Sequence, residues 1–129
     1  MREPDIEADG WCLENGETRL TEAPDRFWIP DRESREHLRL GDFAKLIFRI
    51  SVDNLKEPVA VERMWVVVRE RVGDWYLGIL DNEPDAIVAN DEFWVGTEVP
   101  FAAHHIIDIE QRDDKSIALA KEEPRRRWQ

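Results

Sequence analysis

Three segments in the middle of the sequence alternate apolar and polar residues with the two-residue period of a β-strand. They are FAKLIFRIS (residues 43–51), VERMWVVVRERV (61–72) and WYLGIL (75–80). Gly73-Asp74 separates the second segment from the third and favours a tight turn, so these two segments are predicted to form a hairpin. The predicted core face of the first two segments consists of Ala44, Leu46, Phe48, Ile50, Met64, Val66 and Val68.

Further short strands are predicted after this hairpin. TEVPF (97–101) and HHIIDIE (104–110) are two of them, and residues 85–95 contain a weaker apolar stretch. Short strands joined by tight turns within residues 41–110 predict a mainly β (α+β) fold, a small SH3-like, strongly bent barrel of five or six strands with short flanking helices. A β-grasp or another α+β sheet is the main alternative.

The residues before this core are predicted to form a short hairpin, or a strand and turn, followed by a short helix. Residues 1–9 are polar and are expected to fray. Asn15-Gly16 predicts a tight turn within a hairpin or a strand and turn at residues 10–20, because both residues tolerate positive φ. Residues 31–40 predict a short helix with Asp31 as its cap and Gly41 after its end.

The residues after the core predict a helix and a basic tail. Residues 113–123 have a helical pattern that Pro124 stops, and RRRWQ (125–129) follows. Three Arg beside a Trp could contact nucleic acid or an acidic surface. The alternative is that the tail folds back onto the chain's own negative surface or is disordered.

The length of 129 residues predicts a single domain over 1–129. Its expected parts are a core at 41–110, an N-terminal extension at 1–40, and a C-terminal helix with its basic tail at 111–129. Cys12 is the one cysteine, so no internal disulfide can form. Its apolar neighbours favour a packed side chain over a nucleophile. The first ten residues lack the apolar run of a signal peptide, and we expect a cytoplasmic protein.

The charge of the chain favours some partners and disfavours others. It has 29 Asp and Glu against 18 Lys and Arg, a formal net charge of −11. Such a field repels nucleic acid and anionic membranes and favours association with a basic protein partner. No segment is apolar for long enough to span a membrane as a helix.

Four blocks of the core resemble, in their order, a group of bacterial domains of unknown function. The blocks are GDFAKLIF (41–48), ERMWVVV (62–68), GDWYLGILDNEP (73–84) and GTEVPFAAHHIIDIE (96–110). Some members of that group resemble immunity proteins of polymorphic toxin systems. The resemblance implies a small bacterial intracellular domain and carries no reaction.

Trp65 on the outward face of the second segment, with Arg63 and Arg69 beside it, has the composition of a protein-binding hot spot. The alternative is that this face is covered by the chain's own N-terminal segment. Asp81 and Asn82 lie in the turn LDNEP, where they could bind a cation or a basic group. The alternative is that they hydrogen-bond to the local backbone of the turn.

His104 and His105 are adjacent, and on a strand they would point to opposite faces, which disfavours a shared metal ion. We expect no metal and no cofactor, because no spaced set of Cys and His exists. One of these histidines is expected to fasten the corner before the last strand, and His104 is retained as a binding candidate. No nucleophile elbow, phosphate loop or dinucleotide fingerprint is present, so no catalytic residue is predicted.

Three functions remain open. The first is a non-enzymatic protein-interaction module, in its sharpest version an immunity-like protein. The second is a small-ligand or regulatory binding domain with a pocket lined by Trp65, Trp75, Trp94 and Phe101. The third is an enzyme of unrecognised type, which would need a cleft with converging His, Asp and Arg.

Overall fold

The computed structural model describes residues 1–81 and 95–129. Asn82, Trp94 and nearly all of the weak apolar stretch predicted at 85–95 lie outside the described residues. The helices and strands follow one another in the order α1 (Ile6–Asp9), β1 (Trp11–Leu13), α2 (Gly16–Glu22), α3 (Arg32–Glu36), β2 (Phe43–Ser51), β3 (Val59–Val72), β4 (Trp75–Leu80), β5 (Glu98–Ala102), a 3-10 turn (Ala103–His105), β6 (Ile106–Glu110) and α4 (Asp114–Ala120).

The described strands form one antiparallel sheet that curls into a half-barrel. Strands β2 to β5 pair with one another in chain order, and β1 and β6 both pair with the free side of β2. Strand β6 runs along Phe43 to Leu46, and β1 runs along Phe48 to Ile50. The predicted mainly β class, a strongly bent barrel with short helices on either side, is confirmed.

The alternation of β2 and β3 produces the core that the sequence predicts. Their inward side chains are buried together with those of β4, β5 and β6, and the main members are Ala44, Leu46, Phe48, Ile50, Met64, Val66, Val68, Tyr76, Leu80, Val99, Phe101 and Ile106. Fully burying one such large apolar side chain stabilises the fold by about 2 kcal/mol. At the tip of the β3–β4 hairpin, Gly73 has φ +61°, as a tight turn requires.

Asn15-Gly16 is not a hairpin turn, and that prediction is wrong. The Asn15 side chain caps α2, because its Oδ1 accepts hydrogen bonds from the N–H groups of Glu17 and Thr18. Asn serves both roles because its short side chain can accept bonds from the backbone of a turn or of a helix start. A Cβ on Gly16 would lie 2.9 Å from Ile107 Cγ2, so this helix start packs directly onto β6.

The helix predicted at residues 31–40 forms only in its first half. Asp31 caps it as expected, with Oδ1 accepting the N–H of Ser34, and α3 ends at Glu36. The Tyr76 hydroxyl explains the early end. It donates to the carbonyl of Arg35 at 2.8 Å and accepts the N–H of Leu38 at 3.2 Å, so β4 binds the backbone that a longer helix would need.

The first nine residues are ordered, and the prediction of a frayed segment is wrong. Asp5 caps α1, and Pro4 is buried. The Arg2 guanidinium donates two hydrogen bonds to Asp9, at 2.7 and 3.0 Å. These polar contacts hold the segment in place, and the sequence has no hydrophobic periodicity there that would predict its structure.

The basic tail folds back onto the chain, as one of the two alternatives predicted. Arg126 forms a parallel β-bridge with Thr97, next to the start of β5. Trp128 packs against the core cluster, where its ring meets that of Trp11. The tail is therefore part of the folded domain.

Candidate functional site

Two of the predicted site residues, Trp65 and Asp81, border one open cleft of about 300 Å³. We call it the acidic–aromatic cleft, and its lining consists of Phe43, Trp65, Asp81, Glu110, Gln111 and Asp113. Three of these six residues are carboxylic acids and two are large aromatic rings. Such a lining is suited to a cationic group that has an apolar stem.

The register of the sheet brings the walls of this cleft together. Strand β2 places Phe43 opposite Glu110 of β6, and its Lys45 opposite Trp65 of β3. The N–H of Asp81 donates to the carbonyl of Trp65 at 3.0 Å, which fixes the end of β4 beside that ring. Residues from three distant parts of the chain thus line one surface.

The aromatic wall already has the geometry that attracts cations. The rings of Phe43 and Trp65 meet edge to face, with centroids 6.4 Å apart and planes at 86°. The Lys45 ammonium lies 5.5 Å from the Trp65 ring centroid, within the range of a cation–π contact. The chain's own Lys45 thus already places one cation near this ring.

Two carboxylates of the cleft, those of Asp81 and Asp113, repel each other. Burial raises the pKa of the Asp81 carboxyl, the negative charge of Asp113 raises it further, and Lys115 opposes this rise. Groups that border a cleft with such a shift are frequent at functional sites. An incoming cation would offset the effect of Asp113 on Asp81 and favour the charged form of Asp81.

The cleft continues along α4. A second open space of about 400 Å³ shares Phe43, Asp81 and Asp113 with it and extends past Leu119 to Glu122. Asp113 also caps α4, since its Oδ1 accepts the N–H of Ser116 at 2.7 Å. One cap residue thus fixes both the helix and a carboxylate of the cleft.

The structure places the two predicted arginines away from this cleft. The guanidinium of Arg63 lies 5.3 Å from the ring centroid of Phe27, so the N-terminal segment contacts Arg63, which stays exposed. Arg69 forms an ion pair with the buried Glu98 at 3.3 Å. Arg69 therefore holds the fold together and is not counted with the binding surface.

The corner before β6 is fastened by His105, as expected of one of the two histidines. Its Nδ1 accepts the N–H of Ala102 at 2.9 Å, which places the proton of the neutral ring on Nε2. That Nε2 lies 3.3 Å from the carboxylate of Glu3. Burial, together with the neighbouring His104, lowers the pKa of His105 to about 3, so the ring is neutral at physiological pH.

The two histidine rings lie on one side of the chain, and the argument that they point to opposite faces is wrong. Ala103 to His105 form a 3-10 turn, which brings the rings to 4.0 Å between centroids. With Glu3 they place three potential ligand atoms within 4.8 Å of one another. A metal ion does not suit this group, because Nδ1 of His105 is engaged and its Nε2 carries the proton.

His104 lies on a different cleft from Trp65. Its ring meets that of Trp75 edge to face at 6.3 Å, and both residues line an open space of about 380 Å³. Arg71 and Asp74 also border this space. The structure therefore separates His104 from the acidic–aromatic cleft.

Of the four rings proposed to line one ligand pocket, the three that the structure describes, Trp65, Trp75 and Phe101, do not converge. Phe101 is fully buried and stacks on Tyr76 with centroids 5.2 Å apart. Trp75 lies beside the histidines, and Trp65 lines the acidic–aromatic cleft. Cys12 is half-buried, and burial raises the pKa of its thiol, which disfavours a nucleophilic thiolate.

Besides Gln111, three residues of the cleft escape the sequence-based prediction, namely Phe43, Glu110 and Asp113. Each has an ordinary local role, as a strand start, a strand end and a helix cap. The pairing of Phe43 with Glu110 joins positions far apart in sequence. An outward Phe at the start of a strand is the one local signal of an uncovered aromatic surface.

The chain matches no protein-family model, no curated protein and no solved structure. Within residues 1–81 and 95–129, none of the helices has the length and apolar character needed to cross a membrane.

Proposed function

We propose that this protein is a non-enzymatic protein-interaction module that binds a basic side chain of a protein partner in the acidic–aromatic cleft. The observation that supports it most is that Trp65 and three carboxylates line one open cleft. A Lys or Arg side chain could place its apolar stem on the rings and its charge among the acids.

The net charge of the chain supports the same proposal. An acidic surface accelerates encounter with a basic partner, and this steering weakens as salt is added. An immunity-like protein that neutralises a basic toxin is the sharpest version of this function. It rests on the resemblance of the four core blocks and on the charge.

Binding is favoured over catalysis by the residues that line the cleft. Within the described part of the chain, the lining includes no histidine, cysteine or serine, three side chains that often act as nucleophiles or bases. The acids can attract a cation without any such group. We also propose that the protein is bacterial and cytoplasmic, which the resemblance of the four core blocks supports.

The test is affinity capture from the native organism, with the intact protein as bait. We expect one stoichiometric protein partner with a basic surface, captured less efficiently as salt rises. Trp65→Ala and Asp113→Asn should each reduce capture at least tenfold. Asn is chosen at 113 because it keeps a cap for α4 while it removes the charge.

Asp53→Asn is the matched control, because Asp53 is an exposed acid in the turn between β2 and β3. This variant should capture the partner as the wild type does. Equal capture by the wild type and the Trp65→Ala variant would place binding elsewhere. Failure to capture any protein partner would count against the interaction module. A neighbouring-gene survey without a toxin would count against its immunity-like version.

A further inference from the structure

The tail residues 125–128, which we call the strap, are held through their backbone. The N–H of Arg125 donates to the carbonyl of Gly96, and the N–H of Glu98 donates to the carbonyl of Arg126, both at 2.9 Å. The N–H of Trp128 donates to the Glu98 carboxylate, also at 2.9 Å. These three bonds need no particular strap side chain, so any extended segment could form them.

Glu98 presents both a donor and an acceptor to the strap. Its side chain is buried, and its second oxygen pairs with Arg69 of β3. Arg69 holds that carboxylate in place from the opposite side to the strap. The acceptor is therefore built into the sheet, and its position does not depend on the strap alone.

One side-chain subsite accompanies these backbone bonds. The Trp128 ring meets Trp11 edge to face at 5.7 Å, and the Arg2 guanidinium lies 4.1 Å from its centroid. The indole N–H donates to the carbonyl of Arg2 at 3.0 Å. A tryptophan at this position thus has an aromatic wall, a cation above it and a hydrogen-bond acceptor.

Gly96 leaves room for the Arg125 side chain of the strap. Its φ is +91°, and a Cβ there would lie 2.7 Å from Cδ of Arg125. A side chain at this position would strain the backbone and force the Arg125 side chain to shift. We call the surface formed by Trp11, Gly96, Thr97 and Glu98 the strap groove.

The strap does not fill the space around it. An open cavity of about 350 Å³ remains, bordered by Arg2, Asp9 and Glu98 on one side and by the strap on the other. The three strap arginines are exposed. A segment longer than the strap would therefore find room in the groove.

We propose that the strap groove is a second binding site, which takes an extended basic segment of a protein partner, with a tryptophan two residues after the residue whose carbonyl accepts the Glu98 N–H. The strap, Arg126 to Trp128 in particular, occupies this site as an internal competitor. Strand addition at a sheet edge has these features, with main-chain bonds for affinity and a side-chain pocket for specificity. The net charge of −11 favours the basic occupant.

The test uses the full chain and the peptide Pro-Arg-Arg-Arg-Trp-Gln, blocked at both ends. Trp128→Ala weakens the internal competitor while it leaves Trp11 and Glu98 in place. We expect the variant to bind the peptide at least tenfold more tightly than the wild type, because a site filled for nine-tenths of the time loses about that factor in affinity. Isothermal titration measures it.

The control peptide carries Ala in place of Trp. Equal binding of the two peptides would mean electrostatic adhesion only and would overturn the proposal. No saturable binding to a folded Trp128→Ala variant, or affinity equal to that of the wild type, would overturn it too.

If the Trp128→Ala variant fails to fold, hydrogen exchange of the wild-type protein tests the same proposal. The amides of Arg125, Glu98 and Trp128 should exchange through a local opening, independent of low denaturant concentrations. The amides of the β2–β3 ladder should require global unfolding. If the strap amides exchanged only with that ladder, the strap could not leave the groove and the proposal would fail.

Discussion

Arg69 and Glu98 form an ion pair of 3.3 Å between two strands that do not pair with each other, β3 and β5. The Glu98 side chain is 4% exposed and that of Arg69 is 17% exposed. One carboxylate thus connects the middle of the sheet to its edge and to the basic tail. Because this charge is so well buried, removal of its partner would destabilise the fold.

Arg69→Met should therefore destabilise the fold by about 3 kcal/mol, because it leaves the Glu98 carboxylate buried without its counter-charge. Urea denaturation measures the change in the free energy of unfolding. Arg32→Met is the matched control, since it removes an exposed ion pair with Glu36 one helical turn away and should leave the free energy of unfolding close to that of the wild type. Similar losses in the two variants would refute the distinction.

The neutral His105 makes stability depend on pH in the acid range. The pKa of this ring is lowered to about 3 in the fold, whereas the unfolded chain takes up the proton near the ordinary value of 6.5. Its contribution is therefore present in full above pH 6.5. It is lost as the pH falls towards 3, by about 1.4 kcal/mol for each pH unit.

His105→Gln should flatten this part of the curve of unfolding free energy against pH, because the amide can replace the hydrogen bond to Ala102 but does not titrate. A slope unchanged in the His105→Gln variant would show that other groups set the acid sensitivity.

The Tyr76 hydroxyl is expected to stabilise the junction of α3 with the sheet. Tyr76→Phe removes the partner of the Arg35 carbonyl and of the Leu38 N–H, and should cost about 1 to 3 kcal/mol. Thermal or urea unfolding tests this value. The ring stacking on Phe101 is kept in the variant, so a loss near zero would mean that water replaces both bonds.

Trp65→Ala should separate binding from folding. The ring is half-buried at the cleft, and we expect its removal to weaken partner binding by about 2 kcal/mol or more, as hot-spot truncations do. Circular dichroism should remain that of the wild type. A variant that no longer folds would instead make Trp65 part of the core.

The sequence predicts well those features that depend on local periodicity. The alternation in β2, β3 and β4 identifies the strands, the Gly73 hairpin and the inward face correctly, because one buried face demands that pattern. It also predicts the caps of short helices where the cap has one role, as at Asp31.

The sequence fails where a residue type has two roles or where contacts are distant. Asn15 could start a turn or a helix, and packing of Gly16 on Ile107 decides between them. The 3-10 turn at Ala103 to His105 leaves no periodic signal, so the side of each histidine ring could not be deduced. The cleft depends on the pairing of Phe43 with Glu110, a register that no local pattern specifies.

The hydrogen bond of 3.0 Å from Arg2 Nε to the carbonyl of Gln129 brings the two ends of the sequence together. A short Gly/Ser linker could join them without crossing the sheet, and new ends could be opened at Leu55, which is fully exposed in the β2–β3 turn. Such a circular permutant should keep the same core. In this permutant the strap would lie within an internal loop that the linker closes.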